Sequence, residues 1–215
     1  MRGSADLGND LDLAGERLLQ AVYGTRERAR RFYDSQLLDH LNDVMREFVG
    51  RQEMAFVSTA DDGGNCDVSF RAGPPGFVAV LDERRLAWPE YRGNGVMASL
   101  GNIATNRHAA LLFVDFQELI GLHVNGRASI VENGAMHAAY PGLLADRRVE
   151  RWVCLDVDEA YIHCRKHIPR MAKVPRDRDW GTDSVRSKGG DYFGVARPRE
   201  AVAAPPRRWW RPRPR

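Results

Sequence analysis

Long apolar runs are missing from this chain. The longest, Ala109–Val114, falls far short of the ~20 residues a membrane-crossing helix needs, so no membrane partner is expected. Cysteine is scarce. Cys66, Cys154 and Cys164 are odd in number and widely spaced, which argues against a disulfide framework and suits a reducing compartment. The opening stretch MRGSADLGNDLDLAGERLL lacks the apolar segment of a secretion signal, so a cytoplasmic location is expected. A Cys-x-x-Cys pair, a Gly-x-Ser-x-Gly elbow, a Gly-x-Gly-x-x-Gly fingerprint and a P-loop are also missing. Their absence removes the most legible zinc, hydrolase and nucleotide-binding classes.

A dominant charge is lacking too. Thirty-two Lys and Arg against 29 Asp and Glu leave +3 over 215 residues. Residues 197–215 hold seven Arg and one Glu, a local +6 that leaves −3 on the rest. This tail also carries five Pro and the pair Trp209-Trp210, and it reads as a disordered, solvated extension. Because the body is mildly acidic, nucleic acid is not expected as a partner. With 43% hydrophobic and 28% charged residues the remainder is ordinary globular material, able to bury a core.

Residues 1–52 read as a helical arm. Leu11, Ala14, Leu18, Leu19 and Val22 recur at helical spacing, and Gly24-Thr25 interrupts them. Thr25 is placed to cap a second helix. Leu37, Leu38, Leu41, Val44, Met45, Phe48 and Val49 are again helical in period, ending at Gly50. At Met54 the pattern turns to strands. AFVSTA and CDVSF flank the turn Asp61-Asp62-Gly63-Gly64-Asn65, and GFVAVL and RLAW flank Asp82-Glu83-Arg84. PEYRGNG reads as a loop, VMASLGNIATN as a helix and ALLFVDF as a buried strand. In 121–131, Leu122, Val124, Gly126, Ala128 and Ile130 face one way, and His123, Asn125, Arg127 and Ser129 the other. MHAAYPGLLAD reads as a short helix, and WVCLDVDEAYIHC as a long strand bent near Asp158. Closely spaced strands with few helices favour an antiparallel barrel or sandwich. The expected organisation is 1–52 arm, 53–168 barrel, 169–196 loop-rich segment and 197–215 tail.

Four constellations are candidates for chemistry. Ser69 and Arg71, before Gly73-Pro74-Pro75-Gly76, pair a hydroxyl with a guanidinium, donors suited to a phosphate. Read alone, this is a surface turn. Arg92-Gly93-Asn94-Gly95 runs into a helix start with Ser99 behind it, a better anion cradle. His123 and Asn125 sit on the polar face of a strand, where a site or interface and plain solvation are equally open. His163 and His167 would share a helix face, but the stretch reads as a strand end, so no metal is expected.

The stretch MAFVSTADDGGNCDVSFRAGPPGFVAVLDERRLAWPEYRGNGVMASLGNIATNRHAALLFVDF, with GLHVNGRASIV, resembles the pyridoxamine 5′-phosphate oxidase-like family of FMN-binding split barrels. The likeness spans Phe48 to Ile168. It implies a mainly β (α+β) antiparallel split barrel with flanking helices, working as a homodimer with FMN at the subunit interface. By resemblance, Ser69, Phe70 and Arg71 lie beside the flavin, and Ala87, Trp88 and Pro89 along its ring edge. Tyr91, Arg92, Gly93 and Asn94 surround the phosphate and ribityl chain, helped by Ser99 and Asn102. Gln117, His123 and Asn125 approach from the partner chain, and His163 and Lys166 reach the flavin from the last strand. His123, His163 and Lys166 are then the catalytic candidates, in an FMN-dependent oxidoreductase acting on a small molecule. Two of the oxidase's own signatures, Arg-x-x-x-Leu-Lys and a closing Arg-Leu-x-Pro, are absent, so pyridoxamine phosphate is not the expected substrate. Relatives of this fold also use F420 or bind haem. The alternatives here are an F420-dependent reductase on the same fold or a non-enzymatic flavin- or haem-binding protein, with His123, His163 or His167 as axial ligands for haem.

Overall fold

The computed structural model describes residues 14–143, 146, 148–175, 179, 181, 182, 184 and 190–195. The arm breaks where glycine breaks it. Helix α1 (Ala14–Val22) stops before Gly24, whose φ of +65° suits only glycine well, and α2 (Arg26–Gln36) follows. Thr25 takes the cap position, but its hydroxyl makes no cap bond. The helical run expected from Leu37 does not form there. Leu37–Leu38 are a short strand, β1, and α3 (Asp43–Gly50) begins only after Asn42, whose Oδ1 accepts Met45 N–H at 2.9 Å. The turn at Glu83-Arg84 diverts the chain: Leu41 N–H donates to Glu83 C=O at 2.7 Å, and Arg84 Nη1 to Asp39 C=O at 3.0 Å.

Beyond the arm, β-branched and aromatic residues build β2 (Met54–Ala60), β3 (Cys66–Ala72), β4 (Ala79–Asp82) and β5 (Arg85–Tyr91). Helix α4 (Ala98–Thr105), β6 (His108–Asp115), β7 (Ile120–Glu132), α5 (Asn133–Ala139) and β8 (Val149–His163) complete the order. One antiparallel eight-stranded sheet runs β3-β2-β6-β7-β8-β5-β4, with β1 on β8. This is a split β-barrel with flanking helices. Strand β4 starts at Ala79 rather than Gly76, because Phe77 N–H closes a turn onto Pro74 C=O at 2.9 Å. Strand β5 outruns the expected RLAW and passes through Pro89. Pro89 pairs with Trp152 of β8 where β4 has already ended, so its missing N–H falls on an open edge. Helix α5 starts three residues earlier than MHAAYPGLLAD suggests and ends before Pro141.

Strands β7 and β8 share 12 register pairs and carry one irregularity. Asn125 faces Glu159 but Gly126 faces Val157, leaving Asp158 as the extra residue, where the bend was expected. On its other side β8 pairs first with β5 and then with β1. Inward residues of these strands join Phe48, Val49 and Ile103 in the main core. A second cluster, Ala87, Met136, Val149 and Trp152, lies under α5. It explains a departure in β7: Leu122, Val124 and Ala128 are buried, while Ile130 is 38% exposed and Val131 packs the second cluster.

Residues 183–215 form a separate unit. Its described stretch turns on Asp191, whose Oδ1 accepts Val195 N–H at 3.1 Å. The expected tail, 197–215, lies outside the described residues. Among the described residues no helix is long and apolar enough to cross a membrane.

Candidate functional site

Strand β3 is an edge, paired only with β2. Its register sets Asp67, Ser69 and Arg71 opposite Thr59, Val57 and Ala55, all buried, so these three side chains face the barrel interior. Helix α4 closes over them. Ser99 Oγ donates to Asp67 Oδ2 at 3.0 Å and lies 3.0 Å from Ser69 Oγ. With its one proton given to the carboxylate, Ser99 accepts from Ser69. Asn102 Nδ2 donates to Thr59 Oγ1 at 3.1 Å. The first helical bond of α4 runs from Gly101 N–H to Met97 C=O at 2.8 Å, so the N–H groups of Ala98, Ser99 and Leu100 precede the ladder.

Arg71 meets a residue that sequence reading missed. Glu90 is buried, and its Oε1 accepts Arg71 Nε at 2.9 Å and Trp88 Nε1 at 3.0 Å. A glutamate inside the run RLAWPEY looks like a loop residue while β5 is thought to stop at Trp88. Its alternation with Trp88 is the signal that would have found it. The Nη groups of Arg71 have no protein partner among the described residues. The guanidinium is therefore anchored at one nitrogen and open at two, a fork that fits a phosphate. The start of α4 adds donors beside it. Two carboxylates stand against an anion here: Glu90, spent on Arg71 Nε and the Trp88 indole, and Asp67, turned onto Ser99.

The other expected ring contacts are enclosed by the chain itself. Ala87 and Trp88 are fully buried, in the second cluster and the main core, and Pro89 is buried with them, so a ligand would meet backbone there. Tyr91 packs the second cluster; burial first, then the Asp146 carboxylate, push its phenol above the usual value. Arg92 and Gly93 lie in the exposed loop before α4, where Asn94 Oδ1 accepts Val96 N–H at 3.0 Å.

His123, Asn125, His163 and Phe70 belong to the opposite face. His123 pairs with Leu112 and Tyr161, and Phe70 with Phe56, on the outer side of the sheet. His123 Nε2 lies 2.9 Å from His163 Nδ1. The His123 ring stacks on Tyr161 at 4.7 Å and 14°. Burial first, then the His163 charge, lower the His123 pKa, which keeps it neutral near pH 7. Asn125 Nδ2 donates to Glu159 Oε2 at 3.2 Å. Phe70 is 56% exposed and meets Phe56 edge-on. Gln117 is exposed in the β6–β7 turn, its N–H on Asp115 Oδ1. Lys166 is exposed in the 3-10 turn Arg165–His167. That turn keeps His167 off any helix shared with His163, and among the described residues no three potential metal ligands cluster. Ser69 and Arg71, with Ser99 and Asn102 beside them, thus lie on one face of the sheet and Phe70, His123, Asn125 and His163 on the other, while the remaining expected residues lie in the core, in loops or in turns.

A model of the pyridoxamine 5′-phosphate oxidase family matches residues 41–164. No curated protein matches the chain. Among solved structures, HupZ from Group A Streptococcus is 18% identical, with 61% of this chain and 99% of that one covered and a TM-score of 0.45. A candidate pyridoxamine 5′-phosphate oxidase from Lactobacillus delbrueckii is 18% identical over 59% of this chain and 98% of that one, TM-score 0.46. HutZ, a haem storage protein from Vibrio cholerae, is 14% identical over 57% and 94%, TM-score 0.36.

Proposed function

The chain belongs to the pyridoxamine 5′-phosphate oxidase family, and on that premise we propose that it is an FMN-binding oxidoreductase acting on a small molecule other than pyridoxamine phosphate. The observation that carries this reading is the division of the candidate residues between two faces of the sheet. One chain offers the phosphate donors Arg71, Ser69 and the start of α4. On its other face it offers the histidine pair. In the proposal two copies meet, and each completes the other's site: Arg71, Arg92, Gly93, Asn94, Ser99 and Asn102 from one, Gln117, His123 and Asn125 from its partner.

The flavin would supply the hydride or electron chemistry. Glu90 holds the Arg71 fork in place, and Arg71 binds the phosphate. His123 stays neutral, and because its Nε2 meets His163, its Nδ1 takes the opposite donor or acceptor role toward the ring or substrate. Lys166 adds a positive charge close by in the chain.

An absorbance spectrum of the purified protein, with heat release and identification of any chromophore, tests this. Released FMN that is lost in the Arg71→Ala, Arg92→Ala double variant is the expected result. A colourless protein that takes up no FMN, or tight FMN retention by the double variant, overturns it. A Soret band lost in His123→Ala, or F420 uptake without FMN uptake, would move the cofactor to haem or F420.

A further inference from the structure

We propose that the N-terminal helix pair and the outer face of β8 enclose a binding site for a small planar aromatic anion. This site lies apart from the phosphate donors of β3 and α4 and does not depend on the flavin reading. A cavity of about 520 Å3 opens between α1, α2 and β8, within the range of small-molecule pockets. Its aromatic walls are Phe32, Tyr33 and Tyr161. Phe32 meets Tyr161 edge-on at 5.7 Å, and Tyr161 also stacks on His123. Rings fixed in this way favour a flat apolar guest, with little rotamer freedom left to lose.

Two carboxylates and two guanidiniums line the cavity, so the sign of the guest turns on which of them is unspent. Glu16 already accepts Gln20 Nε2 at 3.0 Å and the Tyr33 hydroxyl. Glu159 already accepts Asn125 Nδ2. Arg28, which lines the same cavity, has no hydrogen bond or ion pair among the described residues. Glu16 and Glu159 keep their charge but spend acceptors on neutral donors, and against them stand two guanidiniums, Arg17 and Arg28; the Arg28 fork is unspent, and a carboxylate or sulfonate matches it. The arm lies largely outside the matched family region, so one wall of this site comes from outside that region and the other, Glu159 and Tyr161, from β8.

The test is calorimetry of the purified full-length chain with three probes of one shape: 2-naphthoate, 2-naphthamide and 2-naphthylmethylamine. The anion should bind about tenfold more tightly than the amide. Arg28→Gln should erase that preference at unchanged circular dichroism, and Ala29→Trp, which fills the cavity from α2, should abolish binding of both. Absence of 2-naphthoate binding at millimolar concentration overturns the proposal. So does tighter binding of the amine, an anion preference that survives Arg28→Gln, or binding unchanged in Ala29→Trp.

Discussion

At the residue scale, Glu90 organises the interior end of the candidate site. It is a buried carboxylate with two donors, one of them charged. Removing it leaves the indole N–H and a guanidinium that is only 23% exposed without their acceptor. Glu90→Ala should therefore cost about 2–4 kcal/mol, and Glu90→Gln, which keeps an acceptor, about half of that. Urea unfolding measures both, and combining each with Arg71→Met should return part of the loss, since the orphaned charge is then gone. His123 gives a pH prediction. Its folded pKa lies below the ordinary 6.5, so the unfolded chain binds the proton more readily. The contribution is fully present above about pH 6.5 and is lost as pH falls through the lower folded value. Thermal midpoints between pH 7.5 and 5 should fall in the native protein and fall less in His123→Phe.

At the element scale, the β7–β8 irregularity carries the long strands around the barrel. A Cβ on Gly126 would sit 2.0 Å from Asp156 C=O, and backbone cannot retreat without undoing the pairing. Gly126→Ala should unfold the protein or cost more than about 3 kcal/mol. Gly134→Ala, in α5 with nothing within 4 Å of the added carbon, should be neutral or stabilising by up to about 1 kcal/mol. Comparing soluble yield and thermal midpoint of the two variants checks this. The same strands show what periodicity could read. The alternation of Leu122, Val124 and Ala128 told their faces, and Asp158 told the bend. Periodicity also placed Leu37 and Leu38 on a helix, because two leucines fit a helical stripe as well as a strand; the backbone partners on β8 settled it. Pro89 stopped the expected β5 early, because nothing in the sequence says which strand edge is open.

At the scale of the whole molecule, the two candidate groups lie on opposite faces of one sheet, and the proposed site is complete only between copies. Sedimentation should give a dimer. Arg71→Ala and His123→Ala chains, each impaired in flavin binding or turnover, should recover about a quarter of native activity when unfolded together and refolded as a mixture. That is the fraction expected if one of the two sites in each mixed dimer is intact and half of the dimers are mixed. No recovery would overturn the shared site.

Composition and pattern alone determined that this is a mainly β chain with a helical arm, a turn at Asp61–Asn65 and a glycine-bearing loop before α4. Each rests on neighbours in sequence: period two, glycine at positive φ, a helix start. Which side of the sheet each candidate faces, that Arg71 is tied to Glu90, that His123 meets His163, and that the arm leaves a cavity against Tyr161 were decided only by the tertiary structure. Those contacts join residues from 19 to 40 positions apart in the two pairs, and strand register and helix docking, not local preference, select such partners.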